Sequence, residues 1–273
     1  MDHLPGWDAT YMKILLTNDD GIFADGLWAL YRAFKPDHHV SVVAPDRERS
    51  AIGHAITLHQ PLRSRNISIN GGLAGIAVNG TPADCVKLGL TELVKTVPDI
   101  VISGINPGEN VGANLNYSGT VAAAKEAALF GLPAISLSVR GRKMTYRNEI
   151  AKFAVSLARI VLQKGLPFGT FLNVNTPDLP LGAVAGVRIS RQGITRLAES
   201  YEMRVDPRNT PYYWSGPDSQ AFDKHPDVDG VALEQDFISI TPVTCDHTNY
   251  AILDDLKSWP IALSEDSSGG ADH

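Results

Sequence analysis

The chain has 273 residues, of which 44% are hydrophobic and 20% charged, and its formal net charge is −6. This length fits one large domain or two small ones, and the composition excludes collagen-like, disordered and disulfide-scaffold proteins. The acidic balance provides no global field for a nucleic acid polymer or an anionic membrane surface, and no apolar run is long enough for a transmembrane helix.

The first two thirds of the chain predict alternating strands and helices. An apolar run ends at Thr17, and the spacing of Leu27, Leu30 and Phe34 predicts a helix with one buried face from about Asp25. Further strands are predicted at 40–44, 99–103, 134–138 and 170–174. Antiparallel strands or hairpins are predicted near 55–58, 62–69 and 74–78, with a turn at Gly71-Gly72. Helices are predicted after Thr81, over Thr120–Leu129 and over Arg147–Lys164. Such alternation is typical of a parallel sheet covered on both faces, so we expect a doubly wound α/β fold.

The pattern loosens toward the C-terminus. Residues 200–235 are rich in Pro, Tyr, Asp and Gly, and an irregular segment of this length is usually functional or part of an assembly. A strand at 237–241 and a short helix near 250–257 follow. We therefore predict four parts, namely a peripheral extension, an α/β core, a C-terminal extension and a disordered tail: 1–11, 12–180, 181–263 and 264–273.

Two features indicate a cytoplasmic location. The two cysteines, Cys85 and Cys245, are far apart and match no metal or redox spacing, so we expect both to be buried free thiols in a reducing compartment. The first residues carry acids and a proline where a signal peptide needs basic and then apolar residues.

Polar residues cluster where the predicted parallel strands end. Asn18, Asp19 and Asp20 follow the first strand, Ser50 closes the loop after the second, and the strand at 99–103 runs into a Gly- and Asn-rich loop. In open parallel sheets, ligands bind beyond these carboxyl ends. Adjacent carboxylates repel each other, and a hard cation such as Mg²⁺, Mn²⁺ or Ca²⁺ relieves that repulsion. The alternative is that Asp19 only caps a turn and Asp20 is solvated.

A second candidate site is the start of the alanine-rich helix. The run Asn116–Thr120 combines hydroxyls, a glycine and a helix N-terminus, which together suit an anion, although Ser118 or Thr120 can equally be a plain N-cap. His54 is a candidate proton shuttle or phosphate contact, or else a polar loop residue. Arg47 and Arg49 are expected in a solvated charge cluster, from which one arginine could face a phosphate.

Several familiar motifs are missing from the sequence. It has no Walker sequence, no Gly-x-Gly-x-x-Gly after the first strand and no Gly-x-Ser-x-Gly elbow. The missing glycine fingerprint disfavours a redox enzyme. Because Asp19 and Asp20 are contiguous, an Asp-x-Asp nucleophile pair is also missing, which disfavours a covalent aspartyl-phosphate.

The motifs that are present resemble one family when taken together. They are Lys13–Gly21 (KILLTNDDG), Ala44–Ser50 (APDRERS), Asn79–Val86 (NGTPADCV), Ser103–Asn106 (SGIN) and Tyr117–Ala124 (YSGTVAAA). In this order and spacing they resemble the SurE family of survival-protein nucleotidases. The resemblance extends over roughly 12–260.

The resemblance implies an activity and a site. The family members are metal-dependent phosphomonoesterases that release phosphate from nucleoside 5′- and 3′-monophosphates and sometimes from short polyphosphate. Carried over by position, the ligands of one Mg²⁺ or Mn²⁺ ion per subunit are Asp19, Asp20, Ser50 and Asn106. We expect Asp19 or Asp20 to orient or deprotonate the attacking water. The residues expected to bind phosphate or substrate are Asn18, Gly104, Ser118, Gly119, Thr120 and His54.

The family resemblance also bears on architecture. It implies a Rossmann-like three-layer core and a C-terminal extension exchanged between subunits of a homodimer or homotetramer. One departure is that Ala113-Asn114 stands where many members carry two aspartates, which weakens any role for acids there. The competing hypothesis is a nucleotide-binding regulatory module without turnover.

Overall fold

A computed structural model of the chain describes residues 11–69, 73–194, 200–216 and 224–261. The strands are β1 Lys13–Thr17, β2 His39–Pro45, β3 Ser64–Ile69, β4 Leu73–Val78, β5 Ile100–Pro107, β6 Ala134–Val139, β7 Thr170–Thr176, β8 Gly186–Ile189, β9 Tyr201–Val205, β10 Pro211–Ser215 and β11 Phe237–Thr244. The helices are α1 Asp25–Phe34, α2 Pro82–Leu88, α3 Gly119–Leu129, α4 Arg147–Lys164, α5 Asp229–Glu234 and α6 Leu253–Ser258. Shorter helical turns lie at Gly89–Leu93, Gly112–Asn116, Leu181–Ala183 and Tyr250–Ile252.

Within the described residues, nine strands form one mixed sheet in the order β3-β4-β2-β1-β5-β6-β7-β11-β8. The six strands from β4 to β7 in that order run parallel, as expected. By contrast, β3 is antiparallel to β4 and β11 is antiparallel to β7. The short β3–β4 connection requires this, because parallel neighbours need a crossover of a dozen residues or more. The fold is therefore α/β with three layers, and its outer strands make the sheet mixed.

The two helical layers follow from alternation along buried strands. Ile14 and Leu16 of β1 pack into the cluster that contains α1 and α4, whereas Leu15 packs into the cluster that contains α2 and α3. All three side chains are essentially fully buried. A strand buried on both faces needs such a continuous apolar run, and this is why the sheet was predictable.

Most predicted elements coincide with the structure. The capping box of Thr81 and Asp84 starts α2, and α4 has the predicted ends. The strand predicted at 55–58 is wrong, because the backbone there bonds to side chains: Thr57 N–H donates to Asp84, and the Ala55 carbonyl accepts from Thr81. The strand predicted to end at 103 continues to Pro107.

The C-terminal part contributes to the main sheet. Strands β8 and β11 complete it, and the irregular segment predicted at 200–235 contains the β9–β10 hairpin and α5. The division of the chain at residue 180 stays a prediction. The predicted N-terminal extension (except Tyr11), the Gly71-Gly72 turn and the predicted tail at 264–273 lie outside the described residues.

Two expectations concern single features. Cys85 is buried, but Cys245 is only partly buried, so the expectation of two buried thiols is wrong for Cys245, which follows the last residue of β11. In the described part of the chain, no helix is both long and apolar enough to cross a membrane.

Candidate active site

The candidate residues meet at the carboxyl edge of the parallel strands. β1 lies between β2 and β5, so the chain leaves β1 toward one side of the sheet and later returns on the other. Such a topological switch point opens a crevice between the loops that follow the strands. Here the crevice is bordered by the loops that follow β1, β2 and β5 and by the N-terminus of α3.

The first loop is tightly held. Asp19 is 5% exposed, and its Oδ1 accepts a hydrogen bond from the Thr120 hydroxyl at 2.5 Å. Its backbone carbonyl accepts from Arg49 N at 2.7 Å. Asn18 is fully buried and donates from Nδ2 to the Gly21 carbonyl at 3.0 Å. These bonds fix the direction in which Asp19 points.

The two aspartates lie in an unfavourable electrostatic environment. Burial, and then the charges of Asp19 and Glu48, raise the pKa of Asp20 to about 7. Burial also raises the pKa of Asp19, against the hydrogen bond from Thr120. Asp20 Oδ2 and Asn18 Oδ1 are buried without a hydrogen-bond partner. Buried polar atoms are normally satisfied, so these oxygens indicate a place for a ligand.

The second loop brings Ser50 to the crevice. Ser50 is exposed and donates from its hydroxyl to Glu48 Oε1 at 2.6 Å. Arg49 donates to the Asn79 carbonyl at 2.9 Å and lies 3.9 Å from Asp46, and both side chains are partly buried, so the charge cluster expected there is only partly solvated.

Before the third loop begins, β5 lies very close to β6 at a glycine. Gly104 has φ +143°, and a Cβ at this position would lie 2.4 Å from the Leu137 carbonyl oxygen, so a larger residue does not fit. Two residues further, Asn106 donates from Nδ2 to the Gly108 carbonyl at 2.6 Å. This bond orients the Asn106 amide and leaves Oδ1 as its acceptor end.

The start of α3 lies against the first loop. Ser118 is the N-cap, and its Oγ accepts from Val121 N at 3.2 Å, as one of the two sequence interpretations expected. Thr120 is bonded to Asp19 and does not cap the helix. A Cβ at Gly119 would lie 2.8 Å from Asp19 Cβ, so this glycine permits the close approach of α3 to Asp19.

A cavity of about 440 Å³ lies at this edge. It brings together Asp19, Ser50, Asn106 and Ser118, and it is also lined by Tyr117 and by Ser215 at the end of the hairpin. Gly119 and Thr120 contact Asp19, which lines this cavity. His54 lies elsewhere, on the wall of a neighbouring cavity of about 540 Å³ that shares Ser118, and its Nε2 is 2.7 Å from Glu126 Oε2.

Sequence reasoning missed the residues that support the third loop. Asn110 is bonded by the side chains of Asn173, Asn175 and Ser138. Asp229, fully buried, accepts from the backbone N–H groups of Gly112, Gly193 and Gly230. The Gly112 carbonyl accepts from Gln192. Their partners lie far away in sequence, so no local pattern marks them. The sequence places Glu48 only in the charge cluster with Arg47 and Arg49, whereas in the structure its charge raises the pKa of both aspartates.

The donor chemistry of the cavity fits a hard cation. Over the described ranges, no three His, Cys, Asp or Glu side chains converge in a metal-binding group. The donors that line the cavity, among them Asp19, Ser50 and Asn106, offer carboxylate, hydroxyl and amide oxygens, the set that Mg²⁺ and Mn²⁺ prefer.

Fold and site together define an α/β protein with a carboxylate-bearing polar cavity at the switch point of a largely parallel sheet. A family model described as "Survival protein SurE" matches residues 14–199. The chain belongs to the SurE family.

Its relatives match along nearly their whole length. "5'-nucleotidase SurE" of Desulfatibacillum aliphaticivorans is 57% identical over 250 residues, covering 92% of this chain and 99% of the relative. The protein of the same name from Geobacter sulfurreducens is 49% identical over 261 residues, covering 94% and 97%. The crystal structure of Sure protein from Aquifex aeolicus matches with a TM-score of 0.78 at 39% identity, covering 90% of this chain and 98% of that one.

Proposed function

We propose that this chain is a 5′-nucleotidase that hydrolyses nucleoside 5′-monophosphates to nucleoside and phosphate with the help of one divalent cation. The names of the relatives support the reaction class. The observation that carries the proposal is the pair Asp19 and Asp20, adjacent and largely buried at the switch point, with Asp20 Oδ2 unpartnered and the pKa of Asp20 raised to about 7. This is an arrangement that a cation stabilises.

The residues that would hold the cation are Asp19, Asp20, Ser50 and Asn106. Their oxygens come from two loops and the end of β5, and they include charged and neutral ligands, as is usual for Mg²⁺ or Mn²⁺. When bound, such a cation supplies charge neutralisation and polarisation at a phosphoryl oxygen. Thr120 and Gly119 keep Asp19 in place for this role.

The remaining steps fall to residues of the chain. Donors at the carboxyl edge would hold the phosphate oxygens through N–H and O–H groups: Asn18, Gly104, Ser118 and Gly119. Thr120, whose hydroxyl donates to Asp19, would bind phosphate only by exchanging that bond. Asp19 already accepts from Thr120, which leaves the Asp20 carboxylate to orient the attacking water and take its proton. The water oxygen then bonds to phosphorus, the bond from phosphorus to the nucleoside oxygen breaks, and the departing oxygen takes up a proton from solvent, so that one water is consumed and nucleoside and phosphate are released.

Recognition through the phosphate extends the substrate range. The groups proposed above contact a phosphate rather than a particular sugar position, and the cavity of about 440 Å³ is within the usual size for small-molecule sites. We therefore also propose 3′-mononucleotides and short polyphosphate as substrates. His54 would contact the substrate only from the neighbouring cavity.

The C-terminal extension, 181–263, supports a homodimer or homotetramer. In α6 no residue is buried within the chain, and every residue of β9 and β10 is exposed. Exposed apolar surface of this extent usually marks an interaction site. The core, 12–180, would carry the catalytic loops, and the free thiols Cys85 and Cys245 favour a cytoplasmic enzyme.

The proposal is tested by phosphate release from 5′-AMP, 3′-AMP, tripolyphosphate and an aryl phosphate. Each substrate is assayed with the purified protein, with chelator, and after Mn²⁺ or Mg²⁺ is restored. We expect release that chelator abolishes and either ion restores. Substrate binding without any turnover would instead support a nucleotide-binding regulatory module.

A further inference from the structure

The loop that carries Ser50 has little structure of its own. Residues 46–63, all of them described, contain no helix or strand. Ser50 is exposed, and Ala51 has φ +54°, in the left-handed region. Connections of this length inside a compact domain are usually functional or disordered, so the position of Ser50 depends on where the loop is fastened.

Besides the bond from Arg49 N to the Asp19 carbonyl, the loop is fastened to α2 and α3. Toward α2, the Ala55 carbonyl accepts from the Thr81 hydroxyl at 2.8 Å, and Thr57 bonds to the Asp84 carboxylate. Toward α3, Gly53 N donates to the Tyr117 carbonyl at 2.9 Å. The remaining contact toward α3 is the side-chain pair His54–Glu126.

Glu126 is the unusual member of this pair. It projects from α3, is 6% exposed, and lies 2.7 Å from His54 Nε2 through its Oε2. A buried carboxylate without a partner is costly, so a partner is strongly preferred. His54 belongs to the loop and is itself partly exposed, so the pair joins a loop residue to a buried carboxylate of the helix.

The same helix also holds the other candidate ligand loop. Thr120, about 1.7 turns before Glu126 on α3, donates to Asp19. Thus α3 binds the first loop through Thr120 and the second loop through Glu126. The relative position of Asp19 and Ser50 then depends on α3 as well as on the backbone bond from Arg49 N to the Asp19 carbonyl.

We propose that His54 and Glu126 form a positioning pair that fastens the second loop to α3 and thereby places Ser50 for the cation. The inference rests on the proposed function, because it assigns Ser50 to the cation site. It gives His54 a role apart from substrate contact. Neither residue touches the proposed cation, so their effect is on the geometry of its site.

The test measures Mn²⁺ binding and loop mobility. Mn²⁺ affinity is measured without substrate from the EPR signal of free Mn²⁺, and hydrogen exchange is followed over residues 50–57. The variants are His54→Asn, which cannot reach Glu126, His54→Gln, whose amide nitrogen replaces Nε2, and Glu126→Gln. The control is His38→Asn, a buried histidine at the opposite edge of the sheet that accepts from Met12 N.

We expect His54→Asn and Glu126→Gln to weaken Mn²⁺ affinity about tenfold, the usual effect of losing a residue that orients a ligand. Both should speed exchange over 50–57, whereas His54→Gln should retain most of the affinity and His38→Asn all of it. The double variant should be no weaker than the worse single one, because the two residues act as one contact.

Two results would overturn the inference. One is wild-type exchange over 50–57 in His54→Asn, which would show that the pair does not hold the loop. The other is a failure of the affinity prediction, seen as faster exchange with unchanged Mn²⁺ affinity or as an equal loss of Mn²⁺ affinity in His38→Asn. Either form would show that the loop does not place Ser50. If the wild-type chain bound no Mn²⁺, the proposed function would fail, and with it the placement of Ser50, while the exchange data would still decide the contact.

Discussion

At the scale of single residues, the main feature of the candidate site is a group of acidic side chains that lie close together. Asp19 and Asp20 are neighbours in the chain, and Glu48 raises the pKa of both. The sequence predicts this much, because contiguous acids at the end of a buried strand are visible in it. It does not show the degree of burial or the approach of Glu48, since both depend on how the loops pack.

The raised pKa of Asp20 predicts how the stability of the metal-free protein changes with pH. Because the pKa rises from 3.8 to about 7 on folding, the folded state binds this proton more tightly, and the free energy of unfolding falls as pH increases from about 4 to 7. Asp20→Asn should remove this decline. In chelator, the variant should gain on the order of 1 kcal/mol relative to wild type between pH 5 and pH 8, about half of the ~2.6 kcal/mol of linkage over this pH window because the site is partly solvated.

Urea unfolding at the two pH values measures this difference. Asp25→Asn, a change at an exposed aspartate, serves as the control and should leave the pH dependence as in wild type. Parallel pH profiles for wild type and Asp20→Asn would contradict the electrostatic account of the site.

A substitution at Gly119 tests whether Asp19 depends on the close approach of α3. A Cβ there would lie 2.8 Å from Asp19 Cβ, 3.0 Å from Asp19 Oδ2 and 3.1 Å from Pro82 Cγ. Gly119→Ala should therefore displace Asp19, cost about 1–3 kcal/mol in stability, and reduce kcat/KM by about 100-fold. The measurements are thermal unfolding and phosphate release. Gly182→Ala is the matched control, since a Cβ at Gly182 meets nothing within 4 Å; equal losses in both variants would reject the steric argument.

At the scale of elements, local signals locate helices but not the contacts between them. The motif Thr81-Pro-Ala-Asp84 predicts the start of α2, and the capping box is present. The same Asp84 carboxylate also binds Thr57, which lies 27 positions earlier in the chain. That contact is long-range, so residues 55–58 were wrongly predicted as a strand from their apolar pattern alone.

The third loop depends on such a long-range contact, made by Asp229. Its buried carboxylate accepts from three backbone N–H groups, and burial raises its pKa. Asp229→Ala would leave those donors unpaired, so we expect a loss of about 3 kcal/mol in the free energy of unfolding. Urea unfolding measures it, with Asp37→Ala at an exposed aspartate as the control. A loss below about 1 kcal/mol would show that the loop is held by other contacts.

At the scale of the whole molecule, the buried strands made the α/β core predictable. Near-continuous apolar runs such as 99–103 imply a sheet covered on both faces, and the loops after its strands then share an edge. The return of β11 antiparallel to β7 could not be predicted, because strand direction at the end of a sheet depends on the route of a long connection. The β9–β10 hairpin was not predicted for another reason: none of the residues of its two strands is buried in this chain, so the usual alternation of buried and exposed residues is missing.

From the exposed hairpin we expect the chain to self-associate in solution. Tyr213 and Trp214 are 61% and 59% exposed, and buried aromatic residues are the commonest anchors of interfaces. We expect wild type to sediment as a dimer or tetramer at micromolar concentration. Trp214→Ser should weaken the assembly about 30-fold or more. Wild type that sediments as a monomer would contradict the proposed role of the extension, and Tyr11→Ser offers a control at an exposed aromatic residue outside it.

The most direct test of the central claim compares phosphate release from 5′-AMP by wild type and Asp20→Asn in the presence of saturating Mn²⁺, with Asp25→Asn as the control. If Asp20 helps to hold the cation and orients the water, kcat should fall by about 1,000-fold or more in Asp20→Asn, while circular dichroism shows an unchanged fold and Asp25→Asn remains fully active. Turnover by Asp20→Asn within a few-fold of wild type would place the chemistry elsewhere in the molecule.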